Sequence, residues 1–266
     1  MTQLMKGKKG LIVGVANDHS IAWGIAQALA EQGAQLAFTY QGEVMKKRVL
    51  PLAEKLSATM TLDMDVTQSD SMDKAFAQIK KQWGKIDFMV HAVAFSDRNE
   101  LRGRYIDTSL NNFLNTMHIS VYSFTDLCRR VAPLMNEGGA CLTLTYLGAQ
   151  KYVPNYNVMG VAKAALEASV RYLSFDLGAQ GVRVNAISAG PIKTLAAAGI
   201  GDFNTMLQWT KDNSALRTNV TQQDIGQTAS FLLSDFAKGI TGEVVYVDAG
   251  YHNQGMVNLK NADDPA

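Results

Sequence analysis

Short apolar runs alternate with longer segments of helical spacing along almost the whole of this chain. Gly10–Val13, Gln35–Thr39, Thr59–Met64, Phe88–Ala92, Cys141–Thr145, Val182–Ile187 and Val244–Val247 read as strands. Between them, Ile21–Ala30, Val44–Leu56, the run through Met72, Phe76 and Ile79, Leu110–Met135 (one or two helices) and Asn157–Leu177 repeat apolar residues at helical intervals. Strands this short and this apolar are buried on both faces. Strand and helix in alternation give a parallel sheet with helices on both sides. With 47% hydrophobic and 18% charged residues, the 266-residue chain has the material for one large core. No linker or repeat interrupts the pattern. The expectation is a single domain over 1–260 with a flexible tail at 261–266.

Several function classes fall away at once. Lys and Arg number 25 against 24 Asp and Glu, a net charge of +1, so nothing attracts nucleic acid or an anionic membrane. Two cysteines, Cys128 and Cys141, make neither a disulfide framework nor a metal cluster, and no metal site is expected. The N-terminal Met1–Lys9 is polar and carries no apolar signal region. No window reaches the roughly 18 apolar residues that a membrane helix needs. The expected location is cytoplasmic.

A doubly wound parallel sheet of the Rossmann type binds ligands outside the carboxyl ends of its strands. The loop there after the first strand is Gly14-Val15-Ala16-Asn17-Asp18-His19. It lacks the usual triple-glycine fingerprint that aims backbone N–H groups at a pyrophosphate. Gly14 supplies a turn, Gly24 lets the helix pack close to the sheet, and Ser20 is the candidate N-cap beside a phosphate. By itself the loop reads equally well as an ordinary strand–turn–helix. The second strand ends at Tyr40-Gln41, where a neutral Gln41 accepts either dinucleotide and leans toward NADH over NADPH. Lys46, Lys47 and Arg48 read as a solvated helix face. Asp65-Val66 follows the third strand, either as a turn or at an adenine edge.

The chemical signal is stronger. Tyr156 and Lys163 stand seven residues apart, so on a helix they fall close to one face and about 10 Å apart along the axis. Lys163 is placed to bond a ribose. Its charge is expected to make Tyr156 a better acid, able to donate to a developing oxyanion. A packed tyrosine and a surface lysine is the plainer alternative.

At these residues the chain resembles the short-chain dehydrogenases/reductases, which space this Tyr and Lys four apart. It is most similar to their divergent branch, the bacterial enoyl-acyl-carrier-protein reductases, with seven. Ser20-Ile21-Ala22-Trp23-Gly24, Phe38-Thr39-Tyr40-Gln41, Val90-His91, Tyr146-Leu147-Gly148, Pro154 to Gly160, Arg183 to Ile192 and Gly242 to Val245 carry the likeness over nearly the whole chain. The resemblance implies an NADH-dependent enzyme of fatty-acid synthesis, acting on an acyl-carrier-protein thioester as a homotetramer. It implies a cofactor site at Gly14, Ser20, Ile21, Gln41, Asp65, Val66, Val93, Lys163, Ile192, Lys193, Thr194, Leu195 and Ala196. Tyr156 would donate to the thioester oxygen, Tyr146 would be a second participant at the acyl pocket, and Ser96 would line the substrate site. Ala94, often glycine in that branch, and Gly201, Asn204 and Thr205, where relatives carry cations, depart from the pattern.

Residues 189–205 are rich in Gly and Ala and open on Gly190-Pro191, which marks a candidate substrate lid, mobile until ligand binds. A carbonyl reductase of the same fold and a non-catalytic nucleotide-binding protein remain open as alternatives.

Overall fold

The computed structural model describes residues 3–195, 197 and 201–256. Seven strands form one parallel sheet in the order β3-β2-β1-β4-β5-β6-β7. They are β1 (Lys9–Val13), β2 (Gln35–Tyr40), β3 (Met60–Asp63), β4 (Ile86–His91), β5 (Met135–Thr145), β6 (Arg183–Ala189) and β7 (Val244–Val247). All seven expected strands are present, and the expected sheet is the observed one. The strand order reverses between β1 and β4, so a crevice opens beyond the ends of those two strands.

Eight α-helices cover the sheet among the described residues: α1 (Ile21–Glu31), α2 (Gly42–Lys55), α3 (Ser69–Trp83), α4 (Leu110–Met117), α5 (Ser123–Val131), α6 (Asn157–Gly178), α7 (Phe203–Asn213) and α8 (Gln222–Leu233). On one face, Trp23, Ile25 and Leu29 of α1, Val49 and Leu52 of α2, and Ile225 and Leu232 of α8 form the core. On the other, Met72, Phe76 and Ile79 of α3 join Phe124 and Leu127 of α5 and Val158, Leu166 and Val170 of α6. Both cysteines are free and buried in this second core, as expected.

Two helices, α7 and α8, have no counterpart in the sequence reading. A capping box marks α8: the Thr221 hydroxyl bonds the Asp224 N–H while the Asp224 carboxylate accepts from the Thr221 N–H. The role expected of Gly24 is corrected. A Cβ there would lie 2.5 Å from Cβ of Gln222, on α8, so the glycine permits a close helix–helix crossing and not a helix–sheet one.

Candidate active site

One cavity of about 920 Å³ runs outside the carboxyl ends of the central strands. Its wall includes Gly14, Ser20, Ile21, Gln41, Val66, Val93, Ser96, Tyr146, Tyr156, Lys163, Ile192, Thr194 and Leu195. The fold thus gathers most of the expected site into one space, together with Ala94. Asp65 stands behind the wall and touches it through Gln41, whose amide donates to its carboxylate at 2.8 Å. Lys193 is exposed and is not part of the wall. Ala196, like 198–200 of the expected lid and the tail 261–266, lies outside the described residues.

At the β1 end the chain turns at Gly14 with φ +109°, where a Cβ would stand 2.3 Å from the carbonyl oxygen of Ala92. Only glycine brings β1 and the end of β4 this close. Ser20 precedes α1 in extended conformation, but its hydroxyl does not cap the helix. It donates to the Asn17 carbonyl at 2.7 Å, closing the loop on itself. Gln222 of α8 steadies the same loop by donating to the carbonyls of Ser20 at 2.6 Å and Asp18 at 3.2 Å. The α1 N-terminus therefore faces the cavity from a loop braced by a helix 200 residues away in sequence. Burial raises the affinity of Asp65 for a proton, but the Thr67 N–H and hydroxyl and the Gln41 amide outweigh it and hold the carboxyl below its usual range.

At the other end, Tyr156 sits immediately before α6 and is 8% exposed. Its ring meets that of Tyr146 edge-on, with centroids 5.2 Å apart. Space for it exists because Gly148 has no side chain: a Cβ there would lie 2.6 Å from Cδ1 of Tyr156. The Tyr146 hydroxyl donates to Sδ of Met206 on α7 at 3.4 Å. Lys163 is buried two turns along α6, with Nζ donating to the Leu144 carbonyl at 2.9 Å.

Burial works against the acidity expected of Tyr156. Burial, reinforced by Tyr146, pushes Tyr156 well above the ordinary phenol value, and Lys163 does not offset it. Tyr156 is thus a firmly neutral phenol, suited to donating a hydrogen bond and ill suited to giving up its proton. Tyr146 is pushed up to about 12, chiefly by burial. Lys163 is pushed down to about 8 by burial, with the Glu167 charge acting the other way.

Some neighbours have no individual role in the sequence reading. Met206 lines the cavity from α7 beside Phe203 of the expected lid. His91, at the end of β4, is buried between the hydroxyls of Thr143 at 2.8 Å and Ser123 at 2.9 Å, and burial pushes it down to about 3. Glu167 follows Lys163 by four residues, a helical spacing that was available as a signal.

Comparison with known proteins agrees with this geometry. Residues 14–252 match the family model described as enoyl-(acyl carrier protein) reductase. An enoyl-acyl-carrier-protein reductase (NADH) of Rhizobium meliloti is 60% identical over 253 residues, covering 95% of this chain and 93% of the relative. One from Rickettsia felis is 55% identical, covering 97% and 99%. The crystal structure of the Anaplasma phagocytophilum reductase in complex with NAD superposes with a TM-score of 0.94 at 59% identity, covering 97% of this chain and 99% of that one. On matches of this length and identity, the chain belongs to the NADH-dependent enoyl-acyl-carrier-protein reductases.

Proposed function

We propose that the cavity performs the family's reaction, NADH-dependent reduction of the trans-2 double bond of an enoyl thioester in fatty-acid synthesis, with Tyr156 and Lys163 as its chemical residues. The observation that carries this is the placement of Tyr156, buried at the start of α6, on the same cavity wall as Lys163. NADH, when bound, supplies the hydride for the β-carbon. The cavity fits it: the side-chain-free turn at Gly14 leads to Gln41 on one side and Lys163 on the other. Gly14, Ser20 and Ile21 offer the loop and helix start for the phosphates, with Gln41 and Val66 in the wall at the adenosine end and Asp65 behind Gln41. Val93, Ile192, Thr194 and Leu195 would close the nicotinamide end, and Lys163 would hold its ribose.

In conjugate reduction, hydride at the β-carbon would leave negative charge on the thioester oxygen as an enolate, and a solvent proton would then add to the α-carbon. Tyr156 donates its O–H to the thioester oxygen and, being neutral and already desolvated, needs no reorganisation to do so. Tyr146 packs against it and shapes the acyl pocket with Ser96. The segment 189–205 serves as the substrate lid, since Ile192, Thr194, Leu195, Ala197 and Phe203 all contribute to the wall. The thioester is carried by acyl carrier protein, and the protein works in the cytoplasm. No helix of the described residues is long and apolar enough to cross a membrane. A homotetramer is supported by the exposed Leu110, Leu114, Tyr122, Tyr172 and Phe175 on and beside α4 and α6.

The test is NADH oxidation with a crotonyl thioester on acyl carrier protein, run against NADPH and against a ketone substrate. Enoyl turnover with NADH is expected. Ketone turnover without enoyl turnover would replace this reading by a carbonyl reductase.

A further inference from the structure

Lys163 and Glu167 lie one helical turn apart on α6, and each is 6% exposed. They are tied to consecutive residues of β5. Nζ of Lys163 donates to the Leu144 carbonyl at 2.9 Å, and Oε1 of Glu167 accepts from the Thr145 hydroxyl at 2.8 Å. Each spends its short hydrogen bond on the strand, leaving two opposite charges parallel to one another in a desolvated layer. An ammonium buried alone is strongly disfavoured, and a nearby carboxylate acts on it more strongly there than in water.

The other titratable groups around the pair do not supply that charge. His91, from β4, is neutral. Tyr156 and Tyr146, ahead of α6, are neutral phenols. Tyr246, from β7, is raised by burial, with Glu167 and Asp248 adding. Glu167 is the anion that acts on Lys163, in the direction that retains its proton.

We propose that Glu167 is a positioning residue for the reduction: anchored by Thr145, its carboxylate keeps Lys163 cationic and held against the cavity wall for its contact with the cofactor ribose. This rests on the assignment of Lys163 to NADH binding made above. Glu167 itself is not part of the cavity wall.

The test is NADH affinity, titrated by fluorescence across pH for the full-length wild type and for E167Q, E167D, T145V and K163A. In the wild type, affinity should weaken as pH rises through about 8, where Lys163 loses its proton. The amide of E167Q still accepts from Thr145 but carries no charge. Its alkaline limb should move to lower pH by about one unit, a tenfold change in proton affinity, with near-wild-type NADH affinity on the acid side. E167D should restore most of the shift. T145V keeps the charge and frees its anchor, so a smaller displacement in the same direction is expected even if E167Q folds poorly. An E167Q limb that superimposes on wild type, or a loss of affinity uniform in pH, would overturn the role of Glu167. Wild-type affinity in K163A would overturn the lysine assignment itself, whereas a loss in K163A beside an unshifted E167Q removes only the Glu167 step.

Discussion

The two ends of the cavity hold their polar groups in different ways. Beyond β1 and β2, the Gln41–Asp65 bond is exposed, and the Gly14 and Ser20 turn offers mainly backbone. Beyond β5, Tyr156, Lys163, Glu167 and His91 are buried, and each nitrogen or oxygen named there has a fixed protein partner or a packed ring. Exposed polar pairs are each worth little, while buried ones are costly to disturb. The nucleotide end should therefore tolerate side-chain loss, and the chemical end should not.

The largest effect is expected at Gly148. In G148A the new methyl meets the Tyr156 ring, and a displacement of about 1 Å at a reacting group can cost on the order of 100-fold in rate. Turnover should fall that far while NADH affinity, set elsewhere, changes little. Steady-state kinetics beside a fluorescence titration separates the two, and unchanged turnover would mean that the ring has other room.

Lys163→Met should weaken NADH binding by about 10–100-fold, the loss of a charge-assisted bond worth about 1.5–3 kcal/mol. The folded-state value of Lys163, about 8, lies below the ordinary 10.5, so between these the unfolded chain binds more protons and stability rises with pH. Without cofactor, wild-type stability should rise between about pH 8 and pH 10.5, a rise that K163M should lack. A wild-type melting temperature flat over that range would mean that Lys163 keeps its proton in the fold.

Gln41→Ala should be the mildest. Gln41 lines the cavity at an exposed site, and one hydrogen bond to the cofactor there would be worth about 0.5–1.5 kcal/mol, so NADH affinity should drop by a factor of about 2–10. A loss as large as that of K163M would erase the contrast between the two ends.

The same contrast decides what could be read from sequence. All seven strands were legible because each is a short apolar run, and the Tyr156–Lys163 pair because helical spacing is local. A ligand site outside the carboxyl ends of the strands was legible from the parallel-sheet pattern, and the reversal between β1 and β4 that opens it was not. What escaped depends on contacts distant along the chain. Gly24 was assigned to the sheet because nothing near it in sequence points to Gln222, its partner on α8. The Ser20 hydroxyl turns back to Asn17, which its residue type does not reveal. Burial of Tyr156, which works against the acidity expected from Lys163, is likewise a property of the assembled core and not of spacing on a helix.

The most direct measurement is Tyr156→Phe, with turnover of a crotonyl thioester and NADH affinity followed on the same preparation. The ring and its packing stay, and only the hydroxyl is lost. Because the phenol acts on charge that forms during reduction, kcat should fall by on the order of 100-fold while the Kd for NADH stays within about twofold of wild type. Wild-type turnover in Y156F would contradict the account and move the donor to another group, with Tyr146 the nearest.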